Sequence, residues 1–165
     1  GGKISIKSEP NVGTEFTVLL DVERAEQEQA EAQETDAAQP QHALRVLLAE
    51  DNALNREIAV ALLSRQDVTV ETAENGQLCV EKFSAAAHGY YDAVLMDVRM
   101  PVMNGYEATK AIRALARADA ALPIIAMTAD AFAEDVERCL AAGMNAHLSK
   151  PMDIHKLMAL LERLC

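Results

Sequence analysis

The stretch Val46-Leu47-Leu48-Ala49-Glu50-Asp51-Asn52 decides the fold, because an unbroken apolar run stops abruptly at two carboxylates and an amide. Ala93-Val94-Leu95-Met96 is a run of the same kind and ends at Asp97. Ile124-Ile125-Ala126-Met127 is another and ends at Thr128. Short continuous apolar runs are typical of strands covered on both faces, as in a parallel sheet. The sequence therefore predicts three buried strands, each with a polar residue at its carboxyl end.

Two weaker strands and a set of helices complete the pattern. Residues 68–72 alternate apolar and polar side chains, as expected of a half-exposed edge strand, and the short segment 146–148 is predicted to form the other edge. Amphipathic stretches at helical spacing follow the strands. Their apolar residues are Leu54, Ile58, Ala61 and Leu62; Cys79, Phe83 and Ala86; Ala108, Ile112 and Leu115; Phe132, Val136, Cys139 and Leu140; and Ile154, Leu157 and Leu161.

The order of these segments over residues 44–165 is (βα)₅. Because crossovers between parallel strands are right-handed, this order favours an α/β, doubly wound, flavodoxin-like parallel sheet. We expect the strand order 2-1-3-4-5, which puts the alternating strand and the short strand at the two edges.

The part of the chain before this domain has two zones. Residues 1–22 alternate apolar and polar side chains on either side of a turn-rich stretch, which predicts a β-hairpin. Residues 23–43 are rich in Glu, Gln and Ala and almost free of large apolar side chains, which predicts a flexible acidic linker, with a solvated helix as the alternative. Because the chain begins at Gly1-Gly2 without Met, we expect it to be a piece of a longer polypeptide.

Composition excludes several classes of function. The formal net charge is -11, which argues against binding to nucleic acid or to an anionic membrane surface. No apolar run approaches the roughly 20 residues that a membrane-spanning helix needs. The three cysteines lack metal-ligand spacing and are predicted to be reduced thiols of a cytoplasmic protein.

The polar residues at the strand ends lie where an open parallel sheet places its ligand crevice. Glu50, Asp51 and Asp97 border the point where the strand order reverses, so these carboxylates are predicted to converge. At about 4 Å each pair would repel by up to about 4 kcal/mol, so a cation must compensate. Mg²⁺ prefers such oxygen ligands, and Lys150, after the last strand, supplies a fixed positive charge.

A carboxylate held beside Mg²⁺ and an ammonium group is a nucleophile toward phosphorus. The Thr128 hydroxyl is placed to bind a new phosphoryl oxygen, and the added charge of about -1.5 to -2 would draw it inward. Taken singly, Asp97 is more typical of a helix cap or turn, Thr128 of a cap for a helix near Ala131, and Lys150-Pro151 of a helix start. Their joint occurrence at consecutive strand ends favours phosphoryl transfer to Asp97.

These residues resemble the receiver domain of two-component response regulators. The resemblance covers residues 44–165, and its matching strings are Val46–Asn52, Leu95–Gly105, Ile125–Ala129 and Ala141–Pro151.

The resemblance implies roles for the residues of the acidic crevice. Asp97 would be the phosphoacceptor, and Asp51 a direct Mg²⁺ ligand. Glu50 would be an acidic partner that acts through water, and Arg99 would contribute its backbone carbonyl to the metal.

The resemblance also implies a switch. Thr128 matches the switch hydroxyl, Lys150 the phosphate-contacting lysine, and the Lys150–Pro151 bond is expected to be cis. The second switch position, often Tyr or Phe in this family, is His147. The family's usual output face lies on the fourth helix, fifth strand and fifth helix, where we expect phosphorylation to alter association.

The hairpin resembles the last strands of a histidine-kinase ATP-binding domain, on the strings Gly1–Pro10 and Gly13–Val18. Kinase tail, linker and receiver together resemble a hybrid sensor histidine kinase of a phosphorelay. The partners implied are the phosphohistidine of the parent kinase and a histidine phosphotransfer domain. The resemblance implies a cytoplasmic fragment whose parent is anchored in the bacterial inner membrane.

Three other functions fit the sequence less well. An aspartyl-nucleophile phosphatase of the haloacid dehalogenase type generally has an acid two residues after the nucleophile, where this chain has Arg99. A flavin-binding protein would have a phosphate loop after the first strand, where Glu50-Asp51 would repel a phosphate. A transcription-factor receiver would carry a DNA-binding module, and none is evident up to Cys165.

Overall fold

The computed structural model describes residues 2–9, 13–20, 43–129 and 133–165. These residues belong to two separate compact units, an N-terminal hairpin and a C-terminal α/β domain. No helix of the described residues is both long enough and apolar enough to cross a bilayer.

The N-terminal unit contains two antiparallel strands, β1 (Gly2–Glu9) and β2 (Gly13–Leu20). The register pairs Ile4 with Val18 and Ile6 with Phe16. The predicted hairpin is therefore confirmed, whereas the predicted linker lies, except for its last residue, outside the described residues.

The C-terminal unit is a five-stranded parallel sheet with five helices. Its strands are β3 (Arg45–Ala49), β4 (Thr69–Ala73), β5 (Ala93–Asp97), β6 (Ile124–Thr128) and β7 (Ala146–Ser149). Its α-helices are α1 (Ala53–Ser64), α2 (Gly76–Ala85), α3 (Gly105–Arg113), α4 (Ala133–Ala141) and α5 (Ile154–Leu164). A short 3-10 helix, Ala118–Ala121, precedes β6. The spatial order β4-β3-β5-β6-β7 is the predicted 2-1-3-4-5, so the predicted fold is confirmed.

Successive residues of a strand point to opposite sides of the sheet, so the continuous apolar strands make both faces apolar. Helices cover both of these faces. One core contains Cys79 and Phe83 of α2, Ile112 of α3 and Cys139 of α4. The other core packs α1 and α5 against the opposite face. Each fully buried Leu, Ile or Phe contributes about 1.5–3 kcal/mol of burial free energy, which makes the sheet a rigid base for its edges.

The predicted apolar face of α1 is wrong. Leu54 is 65% exposed and Ile58 49% exposed, whereas Ala59 and Leu63 are buried. Periodicity does not choose between two overlapping apolar stripes, and the small Ala59 lets this helix lie close to the sheet.

The predicted face of α4 contains a similar error. Leu140 is 55% exposed although Cys139 is buried, and Phe132 lies outside the described residues. The helix rotation that buries Cys139 turns Leu140 outward, because neighbouring residues on a helix do not share a face.

Asparagine and aspartate caps start the helices at the carboxyl edge of the sheet. Asn52 caps α1, and its side chain accepts the Asn55 N–H bond at 3.1 Å. Asn104 forms a reciprocal capping box with Glu107 at the start of α3. A Cβ atom on Gly105 would collide with the Asp97 carbonyl, so glycine is needed where α3 meets the end of β5.

Candidate functional site

An acidic cluster lies at the carboxyl edge, where β3 and β5 run side by side. Glu50 follows β3 directly, and Asp97 is the last residue of β5. Each of Glu50, Asp51 and Asp97 offers a carboxylate oxygen, and these oxygens lie within 4.8 Å of one another. Glu50 is 2% exposed and Asp97 6% exposed, whereas Asp51 is open to solvent. The fold thus brings together the three carboxylates that the sequence predicted to converge.

Lys150 bridges two of these carboxylates. Its Nζ lies 2.6 Å from Glu50 Oε2 and 2.7 Å from Asp97 Oδ2. Its backbone N–H donates to the Thr128 carbonyl at 2.7 Å, which ties the end of β7 to β6. The Lys150–Pro151 peptide bond is cis. One ammonium group therefore faces three carboxylates, and the cluster keeps an excess of negative charge.

The surroundings of Asp97 and Lys150 shift their pKa values for different reasons. Burial raises the pKa of the Asp97 carboxyl, and the Lys150 contact and the Arg99 N–H bond at 3.2 Å offset this only in part. Burial alone would lower the pKa of Lys150, but its hydrogen bonds to Asp97 and Glu50 and the charges of those carboxylates together raise it. The ammonium group is therefore firmly charged, while folding works against the charge on Asp97.

The remaining predicted residues take different positions. Thr128 is buried at the end of β6, whose Met127 pairs with Asp97. Arg99 turns its backbone N–H toward Asp97 and leaves its side chain exposed. His147 is exposed on β7 and pairs with Ala126, two residues before the strand end.

Two residues that the sequence analysis did not single out also touch the cluster. Asn55 Nδ2 donates to Glu50 Oε1 at 3.0 Å. Arg56 Nη1 donates to the Glu50 carbonyl at 2.8 Å and to the Asp51 carbonyl at 3.2 Å. The available signal was a pair of polar residues in the first helical turn after the acidic loop.

The donor set fits a hard divalent cation. All three candidate side-chain ligands are carboxylates, and no histidine or cysteine belongs to this group. Mg²⁺ is typically held by one or two carboxylates together with water and phosphate oxygens. The exposed Asp51 gives the cluster an open side for water, as that coordination requires.

A cavity of about 360 Å³ opens beside the cluster. Glu50 and Lys150 form its polar end, and Ile58, Met127 and Met152 contribute apolar walls. The Glu50 carboxylate and the Lys150 ammonium group therefore border a partly apolar cavity on the side of α1.

Comparisons with known proteins agree on this domain. A family model for the response regulator receiver domain matches residues 46–162. The sensor protein EvgS of Escherichia coli (strain K12) is 34% identical over 166 residues, which cover 99% of this chain and 13% of EvgS. The chain spans between 5% and 20% of the length of the kinases and sensor proteins that it matches.

Solved structures share the same fold. The receiver domain of the sensor histidine kinase PA1611 from Pseudomonas aeruginosa, with a magnesium ion coordinated in its active-site cleft, is 39% identical with a TM-score of 0.67. This match covers 74% of this chain and 98% of that one. A co-crystal structure of the Saccharomyces cerevisiae phosphotransfer protein Ypd1 with the receiver domain of Ssk1 matches at 29% identity and a TM-score of 0.65. It covers 73% of this chain and 88% of that one.

These matches give no support to a phosphatase of the haloacid dehalogenase type. They agree instead with the five-stranded parallel sheet, and the magnesium ion of the PA1611 receiver domain is consistent with the acidic cluster. The chain therefore belongs to the response regulator receiver domain family.

Proposed function

We propose that this chain is a phosphorelay receiver in which Asp97 accepts a phosphoryl group from a phosphohistidine. The observation that carries the proposal is the bridge of Lys150 Nζ between Asp97 Oδ2 and Glu50 Oε2 at the carboxyl edge. The ammonium group holds the Asp97 carboxylate in place and faces the position where a phosphoryl group would sit on it.

The reaction is a displacement at phosphorus. An Asp97 carboxylate oxygen forms the new P–O bond while the P–N bond of the phosphohistidine breaks. The electron pair of that bond stays on the imidazole nitrogen, which takes up a proton from solvent. Lys150 Nζ moves its hydrogen bond from the carboxylate to a phosphoryl oxygen, and so offsets charge on the transferring group.

Glu50, Asp51 and Asp97, with the Arg99 carbonyl, would hold Mg²⁺. The bound cation would neutralise phosphoryl oxygens and the excess charge of the three carboxylates. Asp97 is therefore expected to be competent only when the cation is present.

Thr128 provides the conformational response. Thr128 is buried at the end of β6, beside the strand that carries Asp97. A phosphoryl group adds a charge of about -1.5 to -2 and three acceptor oxygens. We infer that the Thr128 hydroxyl moves to donate to one of them, and that the start of α4 follows. His147 is a weaker candidate for a second switch residue. Its side chain is exposed, and its backbone is paired with Ala126, two residues before the end of β6.

The test is phosphorylation by acetyl phosphate with Mg²⁺, followed by intact mass. The wild type should gain one phosphoryl group, Asp97→Ala should gain none, and chelation of Mg²⁺ should suppress the gain. Asp67→Asn is a matched control, because Asp67 is an exposed aspartate whose positive φ of 57° asparagine tolerates. A phosphoryl group on Asp97→Ala would refute the assignment.

The partner would be a histidine phosphotransfer domain. The yeast complex shows that a protein of this fold binds such a partner. In this chain Leu54 and Ile58 present exposed apolar side chains on α1, and Ile58 borders the cavity beside Lys150. We infer that this pair forms the apolar part of the docking surface.

A charged side chain on this surface should slow phosphoryl transfer from a protein donor, but not from acetyl phosphate. We expect Ile58→Glu to reduce the rate of transfer from a phosphorylated histidine phosphotransfer domain by about tenfold, which is about 1.4 kcal/mol. Phosphorylation by acetyl phosphate should stay the same. Leu140→Glu, an equally exposed apolar position on α4, is the matched control. Equal loss in both variants would remove the docking assignment without touching Asp97.

The whole polypeptide would be a hybrid sensor histidine kinase. The support is the match of EvgS to 99% of this chain, which includes the hairpin β1–β2. Residues 1–22 would then be the last strands of a kinase ATP-binding domain, residues 23–43 a linker and residues 44–165 the receiver. The parent would be anchored in the bacterial inner membrane with this part in the cytoplasm.

A further inference from the structure

The first turn of α1 contacts the acidic loop through two side chains, Asn55 and Arg56, that donate hydrogen bonds to it. We propose that Asn55 and Arg56 are positioning residues that preform the divalent-cation site. Asn55 would fix the Glu50 carboxylate, and Arg56 would fix the main chain of residues 50–51. This inference rests on the proposed function, because it concerns the same cation site.

Asn55 completes the restraint on the Glu50 carboxylate. Lys150 Nζ takes Oε2 at 2.6 Å, and Asn55 Nδ2 takes Oε1 at 3.0 Å. Both oxygens of this buried group therefore have a donor, and its orientation is set from two sides. An amide restrains the carboxylate without adding positive charge, so it does not compete with a cation as a second lysine would.

Arg56 restrains the backbone of the same loop. Its side chain is 17% exposed, and Nη1 donates to the carbonyls of Glu50 and Asp51. From Nη2 it reaches Glu74 Oε1 at 3.2 Å, just after β4. The planar fork therefore ties the loop after β3 to the loop after β4 and fixes the peptide units that carry both acidic side chains.

A merely structural role would have a different signature. Asn52 already caps α1, so the helix has its start without Asn55. If Asn55 and Arg56 only stabilised the helix, their loss would lower the melting temperature but leave the Mg²⁺ affinity of the folded protein unchanged. A positioning role requires a weaker cation affinity in a protein that is still folded.

The experiment is calorimetric titration of the whole 165-residue chain with Mg²⁺. We expect Asn55→Ala to raise the Mg²⁺ dissociation constant about tenfold, the lower end of the range for partners of metal ligands. The Mg²⁺ concentration for half-maximal phosphorylation by acetyl phosphate should rise in parallel, while the rate at saturating Mg²⁺ stays near wild type. Gln77→Ala is the matched control. Gln77 lies in the first turn of α2, and its Nε2 also donates a hydrogen bond to a carboxylate, that of Glu81.

Arg56→Lys provides a second, independent variant. It keeps the charge and loses the fork, so we expect a rise of about threefold or more in the dissociation constant. Arg65→Lys, at the exposed end of the same helix, should have no effect. Circular dichroism confirms that each variant is folded before titration.

The possible results separate this inference from the proposed function. Dissociation constants within about twofold of wild type for both Asn55→Ala and Arg56→Lys would overturn the positioning role, even if Asp97 is phosphorylated normally. A wild type that neither binds Mg²⁺ nor gains a phosphoryl group would overturn the proposed function itself.

Discussion

The two ends of the parallel sheet hold their charged side chains in opposite ways. At the carboxyl end, one ammonium group faces three carboxylates whose oxygens lie within 4.8 Å of one another. Burial raises the pKa of Asp97 there, so folding opposes the charge that the site carries. The carboxyl end is held together with an excess of negative charge.

At the amino end, two arginine side chains donate several hydrogen bonds to the backbone carbonyls of the loops. Arg117 donates to the backbone carbonyls of Phe83, Ser84, Ala86 and Ala87, and it pairs through two nitrogens with Asp119. Its guanidinium also lies 4.8 Å from the Phe83 ring centroid.

Arg113 makes a similar clamp on the same end of the sheet. It donates to the carbonyls of Ala120 and Gly143 and to Asn145 Oδ1. These contacts join the segments that precede β6 and β7. Burial lowers the pKa of Arg113, whose acceptors are neutral. Arg117, however, is paired with Asp119, so among the described residues this end does not hold three like charges together as the carboxyl end does.

The difference separates stability from function. Groups that satisfy one another fully have little to gain from a ligand, whereas like charges held together gain from any cation or phosphoryl group that relieves them. The amino end should therefore control the free energy of unfolding, and the carboxyl end should respond to Mg²⁺ and phosphorylation.

The largest expected effect on stability comes from Arg117→Met. This change removes the Arg117 hydrogen bonds from four backbone carbonyls and from Asp119, although Ala87 keeps the Tyr90 N–H bond and Asp119 keeps the Gly89 N–H bond. We expect the melting temperature to fall by about 10 °C. The rate of phosphorylation by acetyl phosphate at a temperature where the variant is folded should stay near wild type. Arg65→Met, at an exposed position, is the control for loss of charge. A variant with normal stability and slow phosphorylation would break the separation between the two ends.

How much the sequence predicts follows the same division. The carboxyl-end residues follow apolar strands directly, so strand order alone places Glu50, Asp51 and Asp97 together. The hydrogen bond from Arg117 to the Phe83 carbonyl joins residues 34 positions apart, and no sequence periodicity predicts it.

The helices show a second limit of the sequence. The face of α1 was misplaced because two apolar stripes overlap, and burial of Ala59 and Leu63 is decided by how close the helix lies to the sheet. Asn55 and Arg56 were missed for the same reason, since their contacts depend on helix rotation.

Asp119→Asn should lower stability by a smaller amount. The Arg117 hydrogen bonds, with that from the Gly89 N–H, hold the pKa of the Asp119 carboxyl well below its usual range despite burial. A lowered pKa contributes stability that is present above the unfolded-state value of about 3.9 and is lost as the pH falls toward the folded-state value. We expect a loss of about 5 °C in melting temperature at pH 7 and pH 5, and a smaller loss at pH 3. A difference independent of pH would show that the asparagine disturbs packing rather than charge.

The same substitution at the other end of the sheet should have the opposite sign. Because burial raises the pKa of Asp97, its charged form opposes folding at neutral pH. Asp97→Asn removes that charge and leaves Lys150 paired with Glu50, so the melting temperature at pH 7 should rise by about 3 °C. Below a pH of about 3.9 the carboxyl is protonated in both folded and unfolded chains, so the gain should shrink toward zero.

Thermal melts at pH 7 and pH 3, with and without Mg²⁺, check this sign. Mg²⁺ should raise the melting temperature of the wild type more than that of Asp97→Asn, since the variant has less charge for the cation to relieve. Asp67→Asn, at an exposed aspartate away from the cluster, should change neither value. If Asp97→Asn lowers the melting temperature at pH 7, the Lys150 contact outweighs burial. The carboxyl end would then be as well compensated as the amino end, and its excess charge would not be what makes it responsive.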